Sequence, residues 1–194
     1  MSAVTVKTYP APPFCDREIL RYAGCKMQDA ESEKLLAWCK KECENAFSYK
    51  VCFGEFPLTV YENTCDFGEF SVQSSALCRN MKGAERAVVF VASVGLAIDR
   101  LIAKYGKLSP SKAVFLQAFG AERVEALCKA FCEELGTRAK PRFSPGFGDC
   151  TLLEQKKIFA VLDCAKRLGV GLNESGLASP SKTVTAFVGL KKEE

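Results

Sequence analysis

Between two strongly helical segments stands Arg142-Phe143-Ser144-Pro145-Gly146-Phe147-Gly148-Asp149, with one fixed cation, a proline and two glycines. The guanidinium of Arg142 is always charged and offers a planar fork suited to a carboxylate or a phosphate. Pro145 sets its own φ and biases Ser144 toward an extended backbone, while Gly146 and Gly148 allow positive φ and close approach of the chain to a ligand. The same residues would also make a tight turn whose arginine pairs with a neighbouring carboxylate. Glu125 is a second candidate. It either bridges to Lys129 at i,i+4 on a helix surface or faces a ligand beside the small residues Ala118, Gly120 and Ala121. Glu174 is open to three roles: ligand contact, edge-strand charge, or cap acceptor in the turn that runs to Ser181.

Eleven cysteines and no histidine make the thiols the remaining chemistry-bearing groups. Cys39/Cys43 and Cys128/Cys132 have a spacing that puts both thiols of a pair on one helix face, where four could ligate zinc or a cluster. Against a metal, no CxxC occurs and each pair falls among apolar helical positions, where cysteine packs as a small hydrophobe. Structural core thiols are therefore the expectation, with no metal bound. Neither a nucleophile elbow, a phosphate-binding loop nor a dinucleotide fingerprint is present, and no side chain stands out as a general base. No complete catalytic site is expected.

The elements that must position these groups follow from periodicity. Val4–Thr8 is a short strand candidate in a Pro-rich arm over 1–15. Asp16 starts a short helix to Tyr22, and apolar positions at helical spacing from Asp29 to Phe47 predict an amphipathic helix. Strand patterns follow at 49–53, 56–61 and 67–72, then a short helix from Ser74 or Ser75 to about Met81. Arg86–Val94 is apolar on both faces and so reads as a central strand. A helix over 97–105 precedes the longest one, which Ser109 caps, Pro110 begins and Gly136 closes. Val124, Leu127, Cys128, Phe131 and Leu135 form its buried stripe. Thr151-Leu152-Leu153-Glu154 has the form of a capping box opening a helix to Leu168. Thr183–Val188 is a β-branched and aromatic strand. Strands and helices without βαβ alternation give an α+β class, a mainly antiparallel or mixed sheet covered by helices in one domain.

Arg142-x-x-x-Gly146 followed by an aromatic, then Asp149-Cys150 and a helix, resembles the signature of the S-adenosylmethionine-binding activation domain of cobalamin-dependent methionine synthase. Leu172-Asn173-Glu174-Ser175 with Ser179-Pro180-Ser181-Lys182-Thr183-Val184 is similar to that family's C-terminal motif, and the register is good from about Arg86 to Leu190. The resemblance implies that the ligand is S-adenosylmethionine, with Arg142, Ser144, Gly146, Phe147, Glu125 and Glu174 as the matching contacts. Phe147 stands where the family has tyrosine, so a phenolic hydrogen bond is lost. Glu133 and Glu134 are candidates for a second family glutamate. The resemblance further implies a stand-alone activation subunit that supports reductive methylation of cob(II)alamin on a partner. That partner would be a cobalamin-binding methionine synthase subunit or another corrinoid protein. A flavodoxin or ferredoxin would supply the low-potential electron. The alternative is a module that reactivates a different corrinoid methyltransferase or senses S-adenosylmethionine.

At 194 residues and 48% hydrophobic content, the chain can bury one sizeable core. Its net charge of +4 is spread along the sequence, against a nucleic-acid stripe. No apolar run reaches the roughly 18 residues of a membrane span. Residues 1–13 lack the form of a signal peptide, which predicts a cytoplasmic protein. The expected organisation is an arm over 1–15, a domain over 16–190 and a charged tail over 191–194.

Overall fold

The strand Ala84–Ser93 is buried along its last seven residues and divides the interior into two cores. Val88, Phe90 and Ala92 point into one core, and Ala87, Val89 and Val91 into the other, as the period of two requires. A computed structural model gives the fold and describes residues 2–25 and 29–192. In chain order, β1 (Val4–Thr8) leads to α1 (Asp16–Tyr22) and α2 (Ala30–Glu42). Strands β2 (Lys50–Pro57), β3 (Thr59–Tyr61), β4 (Thr64–Asp66) and β5 (Ser71–Gln73) follow, then α3 (Ser75–Met81) and the central strand, β6. Helices α4 (Ala97–Leu108), α5 (Pro110–Glu134), α6 (Gln155–Val161) and α7 (Cys164–Leu168) precede the short pair β7 (Gly171–Leu172) and β8 (Ala178–Ser179), and β9 (Thr183–Lys191) ends the fold. Of the charged tail, Lys191 is the last residue of β9, while Glu193 and Glu194 lie outside the described residues.

The main sheet is antiparallel throughout, in the order β1-β2-β6-β9. Helices α1, α2, α4 and α5 cover one face, with α5 packed against the other three. The second face is covered by α3, α6, α7 and the small sheet β3-β4-β5. This is the expected α+β architecture. The arm contributes β1 directly, with Val4 to Thr8 in register against Gly54 to Lys50.

Several local expectations are revised. Lys50–Pro57 form one strand, since pairing with β6 continues unbroken through Gly54, where a Cβ would meet the Phe56 ring at 2.9 Å. The expected strand over 67–72 is only Ser71–Gln73; Phe67 instead closes a turn by donating its N–H to the Phe70 carbonyl at 2.9 Å. Thr151 does not cap a helix. Leu152–Glu154 is a 3₁₀ turn, and the Glu154 carboxylate reaches Lys157 Nζ at 2.7 Å instead of turning back to residue 151. The single helix expected to Leu168 is broken at Asp163, which has φ 52°. The break is what lets Ile158, Leu162 and Cys164 enter one core, since residues two apart in a helix face opposite ways.

Asp149, read from the sequence as part of the ligand loop, is committed to α3. Its carboxylate accepts from Ser74 Oγ at 2.6 Å and from the N–H groups of Ser75 and Ala76 at 2.7 and 3.0 Å. These bonds, the one from Ser74 first, hold its carboxyl far below the usual value near 3.8. A depressed carboxyl contributes stability that is complete above its unfolded value and is lost as pH falls through the folded one. Wild type should therefore lose thermal stability below about pH 4 more steeply than Asp149→Asn. The variant is expected to melt lower at neutral pH, and parallel thermal melts between pH 7 and 2 check both statements.

Candidate functional site

Residues 138–143 run beside β9 as an interrupted fifth strand. Lys140 N–H donates to the Gly189 carbonyl at 2.9 Å, and Phe143 and Phe187 exchange N–H···O bonds of 2.9 and 2.8 Å. Phe143 packs against the core under the small sheet. Its predecessor Arg142 therefore points to the opposite face, toward α5. There Arg142 Nη2 donates to Glu125 Oε2. The bland expectation for Glu125, a surface bridge to Lys129, is not met: Lys129 sits 3.9 Å from Glu133, a pair with both side chains largely exposed.

The Arg142–Glu125 pair lies in a cleft of about 1030 Å³ between α5, the start of α1 and the chain before it. Burial lowers and the Cys128 and Glu125 neighbours raise the guanidinium's proton affinity, with a net rise. Burial pushes the Cys128 thiol well above its usual range despite the arginine beside it. Cys128 is thus neutral near pH 7, and the charge partner of Arg142 there is Glu125. Arg142 Nη1 is buried without an acceptor. An unsatisfied buried donor costs about 1–3 kcal/mol, and the group beside this guanidinium that can offset it, besides Glu125, is the Cys128 sulfur.

Glutamates from two helices line the same space, although the Glu18 carboxylate already accepts from Arg21 at 2.7 and 2.9 Å. Glu18 of α1 and Glu125 and Glu133 of α5 line the cleft together with Lys129 and Arg142. Lys140 also lines it, but its ammonium donates to the Lys82 carbonyl at 2.6 Å. Exposed rings of Phe14 and Tyr22 stand at the rim. The donor set fits a zwitterion: a carboxylate for Arg142, an ammonium for the glutamates, and apolar rings for an aromatic group.

The cleft brings together Glu125 and Arg142 but is not lined by Ser144, Gly146, Phe147 or Glu174. Ser144 is half-buried in the loop, and Phe147 is 67% exposed. Gly146 has φ 94°, a conformation glycine adopts without strain, and its N–H donates to the Cys150 carbonyl at 2.8 Å. Gly148 is required by α3, since a Cβ there would lie 2.7 Å from Ala76 Cβ. Glu174 is exposed in the turn before β8, where its carbonyl accepts from Lys156 Nζ at 2.9 Å. The small-residue patch is used by protein as well: a Cβ on Gly120 would meet the Lys182 stem at 3.0 Å and Ile98 at 3.1 Å. Of the two further glutamates, Glu133 lines the cleft, while Glu134 accepts from Lys7 Nζ at 2.6 Å and Tyr9 Oη at 2.7 Å.

Sequence reasoning missed Glu122, Arg123 and the whole second wall, Pro12 to Cys15 with Glu18 and Tyr22. Glu122 and Arg123 are 3% and 0% exposed. The only signal available was a charged pair interrupting the apolar run of a long helix. Among the cysteines, Cys15 is exposed, Cys25 and Cys132 are half-buried, and the rest are buried as the apolar stripes imply. Burial raises both Cys39 and Cys43 to about 12. Among the described residues, no group of three or more cysteine or acidic side chains is placed to hold a metal ion, and no helix is long and apolar enough to cross a membrane.

No protein-family model matches the chain, and no curated protein matches it. A solved structure does: the crystal structure of the MetH reactivation domain bound to AdoHcy superposes with a TM-score of 0.73 at 12% identity. The match covers 100% of this chain and 80% of that one. The chain has the fold of the MetH reactivation domain.

Proposed function

We propose that the chain binds S-adenosylmethionine, and its product S-adenosylhomocysteine, in the cleft between α1 and α5. It would serve there as an activation subunit for a cobalamin-dependent methionine synthase. The observation that carries this reading is the part-buried Arg142–Glu125 pair, set in a cleft that Glu18 and Glu133 also line. The AdoHcy bound to the MetH reactivation domain has the carboxylate, ammonium and adenine ring that this donor set suits. Arg142 would hold the ligand carboxylate, and Glu125, already paired to it, would orient the guanidinium and accept from the ammonium. The protein's contribution is then position: one reactant is held so that a reaction between two large cofactors becomes nearly unimolecular. Cobalamin, bound by a methionine synthase subunit or another corrinoid protein, would supply the methyl-accepting centre. A flavodoxin or ferredoxin would supply the electron.

Calorimetric titration with S-adenosylhomocysteine should show one site. Arg142→Ala should weaken it by on the order of 1.5–3 kcal/mol, the scale of a charge-assisted hydrogen bond. No heat at millimolar ligand would remove the ligand assignment. The activation role is read separately, by mixing the chain with oxidised corrinoid partner, low-potential reductant and S-adenosylmethionine. The corrin spectrum should change to the methylated form only when all four are present. Equal conversion without this chain would leave binding without activation, the behaviour of a sensor.

A further inference from the structure

The buried pair Glu122–Arg123 is unusual in that the two residues are adjacent on α5, so their side chains cannot meet by helical spacing alone. They meet because both turn toward a third element. Arg123 Nε and Nη2 donate to the two oxygens of Glu122, each at 2.6 Å. Arg123 Nη1 then donates to the Pro12 carbonyl at 2.5 Å, and Nη2 to the Pro13 carbonyl at 2.8 Å. Glu122 Oε1 accepts the N–H of Cys15 at 3.1 Å, and the guanidinium carbon lies 4.2 Å from the centre of the Phe14 ring. Every residue from Pro12 to Cys15 is thus held by one side-chain pair. Consecutive prolines suit such capture. They lack N–H groups, their φ is set, and Pro13 keeps Pro12 extended, so two neighbouring carbonyls are presented on a stiff segment.

We infer that this pair is a clamp that sets the width of the ligand cleft, with Arg123 a positioning residue for the ligand. Pro12 to Cys15 lines the cleft opposite Glu125 and Arg142, and α1, which carries Glu18 and Tyr22, begins at the next residue. Without the clamp, the polar ties of this stretch lie at its ends, Tyr9 to Tyr49 and Glu134 and Asp16 to Lys40, and between them Phe14 keeps only its contacts with the Phe119 ring at 5.4 Å and the Lys40 ammonium at 5.7 Å. That wall would then have to be ordered at the moment of binding, and the ordering entropy would be subtracted from affinity. The inference about the ligand rests on the proposed function; the clamp itself does not.

The test is the double variant Glu122→Leu/Arg123→Met, which removes both charges and leaves neither unpaired, a change that commonly preserves stability. Hydrogen exchange of the peptide spanning residues 9–16 reads the clamp without any ligand. Exchange at Cys15 should quicken about tenfold or more while the thermal midpoint stays near that of wild type. Titration with S-adenosylhomocysteine should show a dissociation constant raised about tenfold. Wild-type exchange in the double variant would overturn the clamp. Quickened exchange with unchanged affinity would overturn its bearing on the ligand. Failure of wild type to bind S-adenosylhomocysteine would count against the ligand reading alone, since the exchange result still decides the clamp. If the double variant does not fold, Arg123→Lys reads the same claim, because an ammonium can face Glu122 but cannot span both carbonyls.

Discussion

Arg123→Met alone is expected to destabilise the fold by about 3–5 kcal/mol, because it leaves the Glu122 carboxylate buried without its counter-charge. For a chain of this size that corresponds to a fall in thermal midpoint on the order of 10 °C. The double variant with Glu122→Leu should recover most of the loss, since the penalty belongs to the uncompensated charge and not to the missing contacts. Denaturant unfolding of wild type, single and double variants completes the cycle. A single variant as stable as wild type would mean that water reaches Glu122, contrary to its burial, or that the Cys15 N–H alone compensates the carboxylate.

Phe187→Ala should cost about 3–5 kcal/mol, the range for deleting a large buried ring from a core that cannot fully collapse. Phe187 is 0% exposed, stacks on Phe67 at 5.1 Å, and sits in β9 opposite Val89 of β6 and beside Phe143. The same change at Phe147, 67% exposed, is expected to stay within about 0.5 kcal/mol. Guanidinium melts of the two variants test the contrast. A large loss at Phe147 would show that its ring is buried in solution by something the monomer does not supply.

How far the sequence led can be judged from particular residues. The central strand was legible because Ala87 to Ala92 is apolar at every position, a pattern that only a strand buried on both faces satisfies. The long helix was legible from Pro110, its stripe and Gly136. Arg142 and Glu125 were found through a motif, yet that they touch each other was not legible, because the contact depends on residues 138–143 lying along β9. Asp149 and Gly148 belonged to the same motif but serve α3, whose start lies some 75 residues earlier in the chain. The clamp was invisible for the same reason. Adjacent charges on a helix read as a solvated face, and only carbonyls 110 and 111 residues away make burial tolerable. Local pattern reports periodicity, whereas the Arg142–Glu125 contact, the Asp149 cap of α3 and the clamp are pairings between distant segments.

The interrupted fifth strand has a bearing on solubility. An unpaired sheet edge is a template for another chain, and proteins usually blunt it with short strands, charges or a covering segment. Here the cover of β9 is residues 138–143, the segment that delivers Arg142 to the cleft. That segment therefore has two structural roles. A change that shortens or stiffens it would misplace the guanidinium and would also open main-chain groups of β9 to intermolecular pairing. The arginine thus sits in a stretch of chain whose length also sets how far β9 is covered.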